Sequence, residues 1–281
     1  MRVGVTVFLT DRTISPGAFA VAAEERGFAS LYFPEHTHLP VAESDPPALV
    51  EGVSLDDYRR SLDPMAALAA AAAMTERIRL GTGVCLVAQH DPLVLAKQIA
   101  TVDLLSGGRL VLGVGYGWNR TEAADHGVEF GHRRAVAAEK LRCMQALWTM
   151  EVAEFHGRHV DVGPCYSWPK PVQQPRVHTL IGAGAGSRTF AEVAALADGW
   201  MPIGGAGVAD ALPRLQAAME AAGRDPAALD VVAFGTIPNE GKLEHYRHSG
   251  VTEVVLRVPS GPDAAVLSVL DDYARFVERS G

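Results

Sequence analysis

The 281-residue sequence predicts an α/β protein, a single (β/α)8 TIM barrel with an insertion between its fourth and fifth strands, on three observations. Strand-like and helix-like segments alternate along the whole chain, which implies a parallel sheet covered by helices. Eight such units fit this length, and that number suits a closed barrel better than an open, doubly wound sheet. No internal repeat and no linker-like stretch divides the chain, so one domain over 1–281 is expected.

Val3 to Phe8 is the first apolar run. Ser15-Pro16 then opens a helix, because Ser suits the N-cap and Pro the first turn, and Gly27 closes it. Ser30 to Phe33 is the second strand, followed by a long loop rich in Pro and Asp over 35–62. Asp63-Pro64 opens an Ala-rich helix through Met74, and Ile78 to Leu86 is the third strand. Asp91-Pro92 starts the next helix, which ends near Ser106-Gly107-Gly108. Leu110 to Val114 is the fourth strand, followed by a short helix from Asn119 and a longer one over 133–149. The segment 151–176 is poor in helix signals and rich in proline, with Trp168, His156 and His159; it reads as an inserted excursion. Thr179 to Ile181, a helix from Ser187, a short strand at Trp200-Met201 and a helix over 208–222 follow. Leu229 to Phe234, a turn or helix near 240–248, Glu253 to Val258 and a helix over 263–279 complete the series.

Composition removes several function classes. A formal charge of −8, with no run of Lys and Arg to reverse it locally, argues against nucleic-acid binding. No apolar run reaches the roughly 20 residues of a membrane span. Met1 to Val5 enters a strand-like segment without the layout of a signal peptide, so a cytoplasmic protein is expected. Cys85, Cys143 and Cys165 are odd in number and lack metal-ligand spacing; buried thiols in a reducing compartment are the simplest reading.

Barrel active sites form at the C-terminal ends of the strands, and the unusual residues cluster there. Strand 2 ends in Phe33-Pro34-Glu35-His36-Thr37-His38. A carboxylate beside an imidazole can orient a ligand and exchange a proton near neutral pH, or merely supply loop polarity. His36 and His38 also form a His-x-His pair of the kind that binds metal. Strand 3 ends in Gly81-Thr82-Gly83-Val84-Cys85, where glycine marks a bulge, a close backbone approach or a barrel corner. Strand 4 ends in Gly113-Val114-Gly115-Tyr116-Gly117-Trp118-Asn119, and strand 5 in Gly182-Ala183-Gly184-Ala185-Gly186-Ser187. Both read as phosphate loops or as tight turns without a ligand; the second has Ser187 as a good N-cap at a helix start. Together these rims suit a flat ring on a phosphorylated tail, as in a flavin or deazaflavin.

The segments Glu35 to Pro40 (EHTHLP), Gly81 to Val84, Leu104 to Arg109 (LLSGGR), Leu112 to Asn119 (LGVGYGWN) and Ala197 to Trp200 (ADGW) resemble the luciferase-like monooxygenase superfamily, and more narrowly its actinobacterial F420-dependent branch. The resemblance runs from strand 1 to about residue 203. It implies a deazaflavin in the barrel mouth, a non-prolyl cis peptide at Gly83-Val84 against the ring, and Gly115, Gly117 and Asn119 along the ring. It places Gly182, Ala183, Gly184, Ala185, Gly186 and Ser187 on the phosphate or ribityl tail, Glu35 in contact with the cofactor, and His36 as the catalytic imidazole. It implies hydride transfer between a small organic substrate and C5 of F420; with FMN instead, reduced flavin would activate oxygen. The sugar-phosphate dehydrogenase of this branch carries a Glu where this chain has Trp118, so sugar-phosphate chemistry is not expected. Trp118 then becomes a substrate wall or core, and Arg257 a group for an acidic substrate moiety or a surface residue. A homodimer, through the helices after strands 2 and 3, is also implied by the resemblance.

Two rivals come from other classes. A metallohydrolase would use His36 and His38, but the last strand ends in Leu256-Arg257-Val258-Pro259 without an Asp, so no metal is expected. A barrel that binds the cofactor without turnover is the second, and no residue excludes it.

Overall fold

In the computed structural model, which describes residues 1–41 and 53–278, helix starts fall where the cap residues predict. Ser15 accepts a hydrogen bond from Ala18 N ahead of α1 (Pro16–Glu25), and Asp63 from Ala66 N ahead of α3 (Pro64–Met74). Asp91 accepts from Leu93 N and Val94 N ahead of α4 (Pro92–Leu105). In each case the side chain satisfies first-turn donors that the helix leaves open, and proline occupies a position needing no donor.

Among the described residues eight parallel strands close into a barrel. They are β1 (Arg2–Thr6), β2 (Ser30–Phe33), β3 (Arg79–Thr82), β4 (Leu110–Val114), β7 (His178–Ile181), β8 (Gly199–Trp200), β9 (Asp230–Thr236) and β10 (Glu253–Arg257). The closing seam pairs Arg2 with Glu253 through Thr6 with Arg257. The excursion is an antiparallel hairpin, β5 (Ala153–His156) and β6 (Asp161–Cys165), which follows α6 (Arg133–Thr149). Gln173 ties the return segment to the barrel by donating its backbone N–H (3.0 Å) and its side-chain amide (2.6 Å) to buried Asp103.

Three expectations are corrected in detail. Strand 3 ends at Thr82 rather than Leu86: the Gly83–Val84 peptide is cis, Cys85 makes a lone bridge to Val114, and a 3₁₀ turn covers Val87–Gln89. The loop 35–62 contains a helix, α2 (Leu55–Arg60), opened by a capping box in which Ser54 and Asp57 serve each other's backbone N–H; its stretch 42–52 lies outside the described residues. Ser187 is not the N-cap of α7 (Ser187–Leu196). Gly186 is, in extended backbone and without a side-chain acceptor.

The barrel interior holds Tyr32, Val111, Leu180, Met201, Val232 and Val255, with Phe234 and Val84 nearest the C-terminal mouth. A larger apolar layer lies between strands and helices, with Trp148 wholly buried and donating to Ala96 O at 3.1 Å. Outside it, α3 and α4, the helices expected to meet a second copy, expose Met74, Leu93, Val94, Leu104 and Leu105. Among the described residues no helix is long and apolar enough to cross a membrane. Cys85 and Cys143 are buried as expected, whereas Cys165 on the hairpin is only partly so.

The N-terminal end of the barrel is closed by charge. Glu253 is fully buried and accepts from Arg2 Nε at 2.9 Å, from Ser30 Oγ and from Tyr32 Oη at 3.3 Å, with Arg79 Nη1 at 3.6 Å. A buried carboxylate needs partners of this kind, and removing it strands theirs. Glu253→Ala should therefore lower unfolding free energy by about 2–4 kcal/mol in denaturant titration; a loss below ~1 kcal/mol would mean the node is solvated.

Candidate active site

At the opposite end the strand tips enclose a cavity of about 320 Å³, within the usual range for small-molecule sites of ~300–1,000 Å³. Glycine shapes one wall. A Cβ at Gly115 would sit 2.1 Å from Val84 Cγ2, and one at Gly182 would sit 2.5 Å from Val84 Cγ1. Val84 therefore lies in a slot between two bare backbones, from strands 4 and 5 of the barrel. Gly83 is held bare by the Phe234 ring, 2.3 Å from where its Cβ would be. The result is a smooth apolar face with peptide groups at its edges.

His36 stands on the cavity wall at the end of β2, with only 7% of its side chain exposed. Its Nδ1 lies 2.9 Å from Glu122 Oε2, and Glu122 is fully buried. Glu122 also accepts from Thr37 N at 3.3 Å. A carboxylate can only accept, so the His36 proton sits on Nδ1 and Nε2 is left as the acceptor. The ring is held from the sides by Tyr58 (centroids 5.1 Å apart) and Trp118 (5.7 Å). The imidazole and its carboxylate thus form a buried pair on the cavity wall.

Glu122 and Tyr58 were missed by sequence reasoning. Glu122 is the third residue of α5 (Arg120–Asp125), where Asn119 accepts from Glu122 N at 2.9 Å. A short helix from Asn119 was expected, but nothing local shows that the Glu122 carboxylate reaches a loop 86 residues earlier. Tyr58 rides on α2, inside the stretch expected to be loop.

Of the expected site residues, Glu35, His36, Gly83, Val84, Gly115, Gly117, Trp118, Gly182, Ala183 and Arg257 line the cavity. Asn119 does not. It is 1% exposed, its Oδ1 caps α5, and its Nδ2 is buried without a hydrogen-bond partner. Gly184, Ala185, Gly186 and Ser187 lie beyond the lining, on the rim that leads to α7. A Cβ at Gly184 or Gly186 would meet nothing, so this loop is bare toward open space. Arg257 reaches in from β10 and donates from Nη2 to Gly235 O at 2.6 Å.

Glu35 borders the cavity but turns its carboxylate away from it. Oε2 accepts from Leu86 N at 2.5 Å, and Oε1 lies 2.7 Å from His90 Nε2. Glu35 is thus a clamp on the segment carrying Val84 rather than a free contact for a ligand. With Cys85 it forms a Glu–Cys–His group compact enough for a metal. But both carboxylate oxygens are engaged, and burial pushes the Cys85 thiol well up, so it stays protonated and a poor ligand. The His-x-His reading is not supported either, since His36 turns to Glu122 while His38 Nε2 meets Asp125 at 3.0 Å.

Against these geometries, sequence comparison identifies the family. A profile described as luciferase-like monooxygenase matches residues 16–238. The chain belongs to that family. Among family relatives, protein Rv0953c of Mycobacterium tuberculosis is 43% identical over 99% of this chain and 97% of its own length. An F420-dependent glucose-6-phosphate dehydrogenase of Kineococcus radiotolerans is 31% identical over 75% of this chain and 60% of that enzyme. The crystal structure of monooxygenase RslO1 from Streptomyces bottropensis superposes with a TM-score of 0.80 at 21% identity, covering 100% of this chain and 99% of that one. The barrel is thus the fold of luciferase-like enzymes.

The Glu35–His90 clamp carries a pH dependence. Burial would raise the Glu35 pKa, but His90 and the Leu86 N–H outweigh it and hold the carboxyl below its ordinary 4.5. Burial would lower His90, but Glu35 outweighs it and holds the imidazole above its ordinary 6.5. The Glu35 contribution is present above 4.5 and lost as pH falls through its depressed value; the His90 contribution is complete below 6.5 and lost as pH rises through its raised value. Thermal melting of the wild type should decline as pH rises through the range above 6.5. His90→Asn should flatten that limb, and an unchanged alkaline limb would show that the clamp is not linked to stability.

Proposed function

We propose that the chain is an F420-dependent oxidoreductase that moves a hydride between a small organic substrate and the deazaflavin. The observation that carries this reading is the His36–Glu122 pair on the wall of a glycine-smoothed cavity. The residues fit such a cofactor: Val84, seated between Gly115 and Gly182, offers a flat apolar face, and the bare loop 184–186 offers backbone N–H groups for a phosphate. When bound, the deazaflavin supplies a hydride acceptor or donor at its C5.

The chain's own part is proton transfer and placement. His36 Nε2 faces the cavity as the acceptor of the substrate proton that accompanies oxidation, or its donor in the reverse direction. Glu122 fixes the tautomer and stabilises the imidazolium once formed. Tyr58, Trp118 and Phe8 surround the substrate end with aromatic surface, and Arg257 adds one fixed cation there. An apolar substrate bearing an alcohol or carbonyl, with an acidic group toward Arg257, suits that lining. Trp118 standing over His36 disfavours a sugar phosphate, the substrate named for the Kineococcus relative. F420 is preferred to FMN because a hydride step leaves one proton to be handled, which is what the His–Glu pair provides; the relative named as F420-dependent supports it.

Titration of the protein with F420 and with FMN, followed by fluorescence quenching, should give micromolar binding of F420 and weaker binding of FMN. The reverse order would favour oxygen chemistry on a flavin. His36→Ala should bind F420 as the wild type does and lose turnover by about 10²–10⁴-fold. Glu122→Gln should bind F420 as the wild type does and lose turnover, because an uncharged amide no longer stabilises the imidazolium. Full turnover in His36→Ala would remove the proton-transfer role.

A further inference from the structure

Among the described residues four hydroxyl side chains line the cavity, and three of them are spent on the protein itself. Thr6 Oγ1 donates to Tyr32 O at 2.9 Å, Tyr116 Oη to Glu192 at 2.6 Å and Ser260 Oγ to Phe8 O at 2.9 Å. The fourth is Tyr58. Its hydroxyl makes no hydrogen bond among the described residues, although the residue is only 6% exposed. A hydroxyl withdrawn from bulk water without a partner costs free energy, and a ligand oxygen in the cavity would offset that cost.

The ring that carries this hydroxyl is fixed on several sides. Its centre lies 5.0 Å from that of Phe8, 5.1 Å from that of His36 and 6.1 Å from that of Trp118. The helix beneath it, α2, is fastened to the loop after β1: Arg60 Nη1 lies 2.9 Å from Asp11 Oδ2, and Ser61 forms an antiparallel bridge with Thr10. Ser61 Oγ also donates to the carbonyl of His36 at 3.0 Å. Tyr58 and His36 are therefore joined twice, ring to ring and through the residue that ends α2.

Their polar atoms are complementary. Burial raises the Tyr58 pKa above its ordinary 10.0, which the positive charge of Arg257 only partly offsets, so the hydroxyl keeps its proton near neutral pH and remains a donor. His36 Nε2 is an acceptor. One alcohol oxygen satisfies both, giving its proton to the imidazole and accepting from the phenol.

We infer that Tyr58 is a catalytic residue whose hydroxyl holds the oxygen of the reacting alcohol or carbonyl opposite His36. This role rests on the cofactor reading of the cavity and adds to it a second group that touches the reacting oxygen. In the oxidation direction the substrate C–H bond breaks and its electron pair passes with the hydrogen to the deazaflavin. The O–H proton passes to His36 Nε2, and a C=O bond forms on the oxygen that Tyr58 holds. Tyr58 keeps its own proton throughout. The substrate class narrows to molecules with a hydroxyl or carbonyl on the reacting carbon.

Tyr58→Phe tests the role, because it removes the hydroxyl and keeps the ring against Phe8, His36 and Trp118. The whole protein is titrated by calorimetry with benzyl alcohol and with toluene, two ligands that differ by one hydroxyl, and with F420 by fluorescence quenching. The wild type should bind benzyl alcohol; the variant should bind it about three- to tenfold more weakly, toluene no more weakly, and F420 as before. With F420 and the alcohol that the wild type oxidises fastest, the variant should lose at least about tenfold in kcat. Equal weakening of both ligands, unaltered benzyl alcohol binding, no binding of it by the wild type, or an unchanged kcat would overturn the role of Tyr58 and leave F420 binding standing. A wild type that does not bind F420, yet distinguishes the two ligands through Tyr58, would overturn the cofactor reading instead.

Discussion

The seat of Val84 between two bare backbones is the constraint on which the rest of the site depends. Gly115 and Gly182 belong to different strand tips, and Val84 occupies the space where their side chains would be. This brings three consecutive strands of the barrel close together at the mouth and leaves a smooth wall instead of three competing side chains. The Glu35–His90 clamp and the Leu86 N–H hold the segment that carries Val84. A methyl group on either glycine would have to displace Val84 by ångströms in a packed interior, which cores tolerate poorly.

Charge is then distributed by depth. At the closed end, Glu253 and Asp230 pair with Arg2, Glu253 also faces Arg79, and His178 Nε2 lies 3.0 Å from Asp230. Although burial alone would raise it, contact with His178 and Arg2 holds the Asp230 carboxyl well below the usual carboxylate range. At the open end, Glu122 is spent on His36 and Glu35 on His90, so neither carboxylate points at the cavity. The cavity lining there offers the peptide groups of the strand-tip glycines and the Arg257 guanidinium instead.

The barrel was legible in the sequence because its signals are local. Ser15-Pro16, Asp63-Pro64 and Asp91-Pro92 each combine a cap with a proline, and each starts a helix in the structure. His36 and the strand-tip glycines were legible because barrel topology puts strand ends on one rim. What could not be read are pairings set by tertiary packing. Glu122 lies on a six-residue helix after strand 4 and reaches back to strand 2. Glu35 shares the motif with His36 yet turns the other way, toward Leu86 and His90, because strand 3 leaves a backbone N–H there to be satisfied. Asn119 was expected along the ring and is spent as a cap.

We propose that the Val84 wall and His36 bound one flat guest. A crystal structure of the protein soaked with F420 tests it most directly. The tricyclic ring is expected in density against Val84, Gly115 and Gly182, with His36 Nε2 toward its reacting face. Density for the ring elsewhere, or a mouth filled by the protein's own side chains in the presence of saturating cofactor, would contradict it.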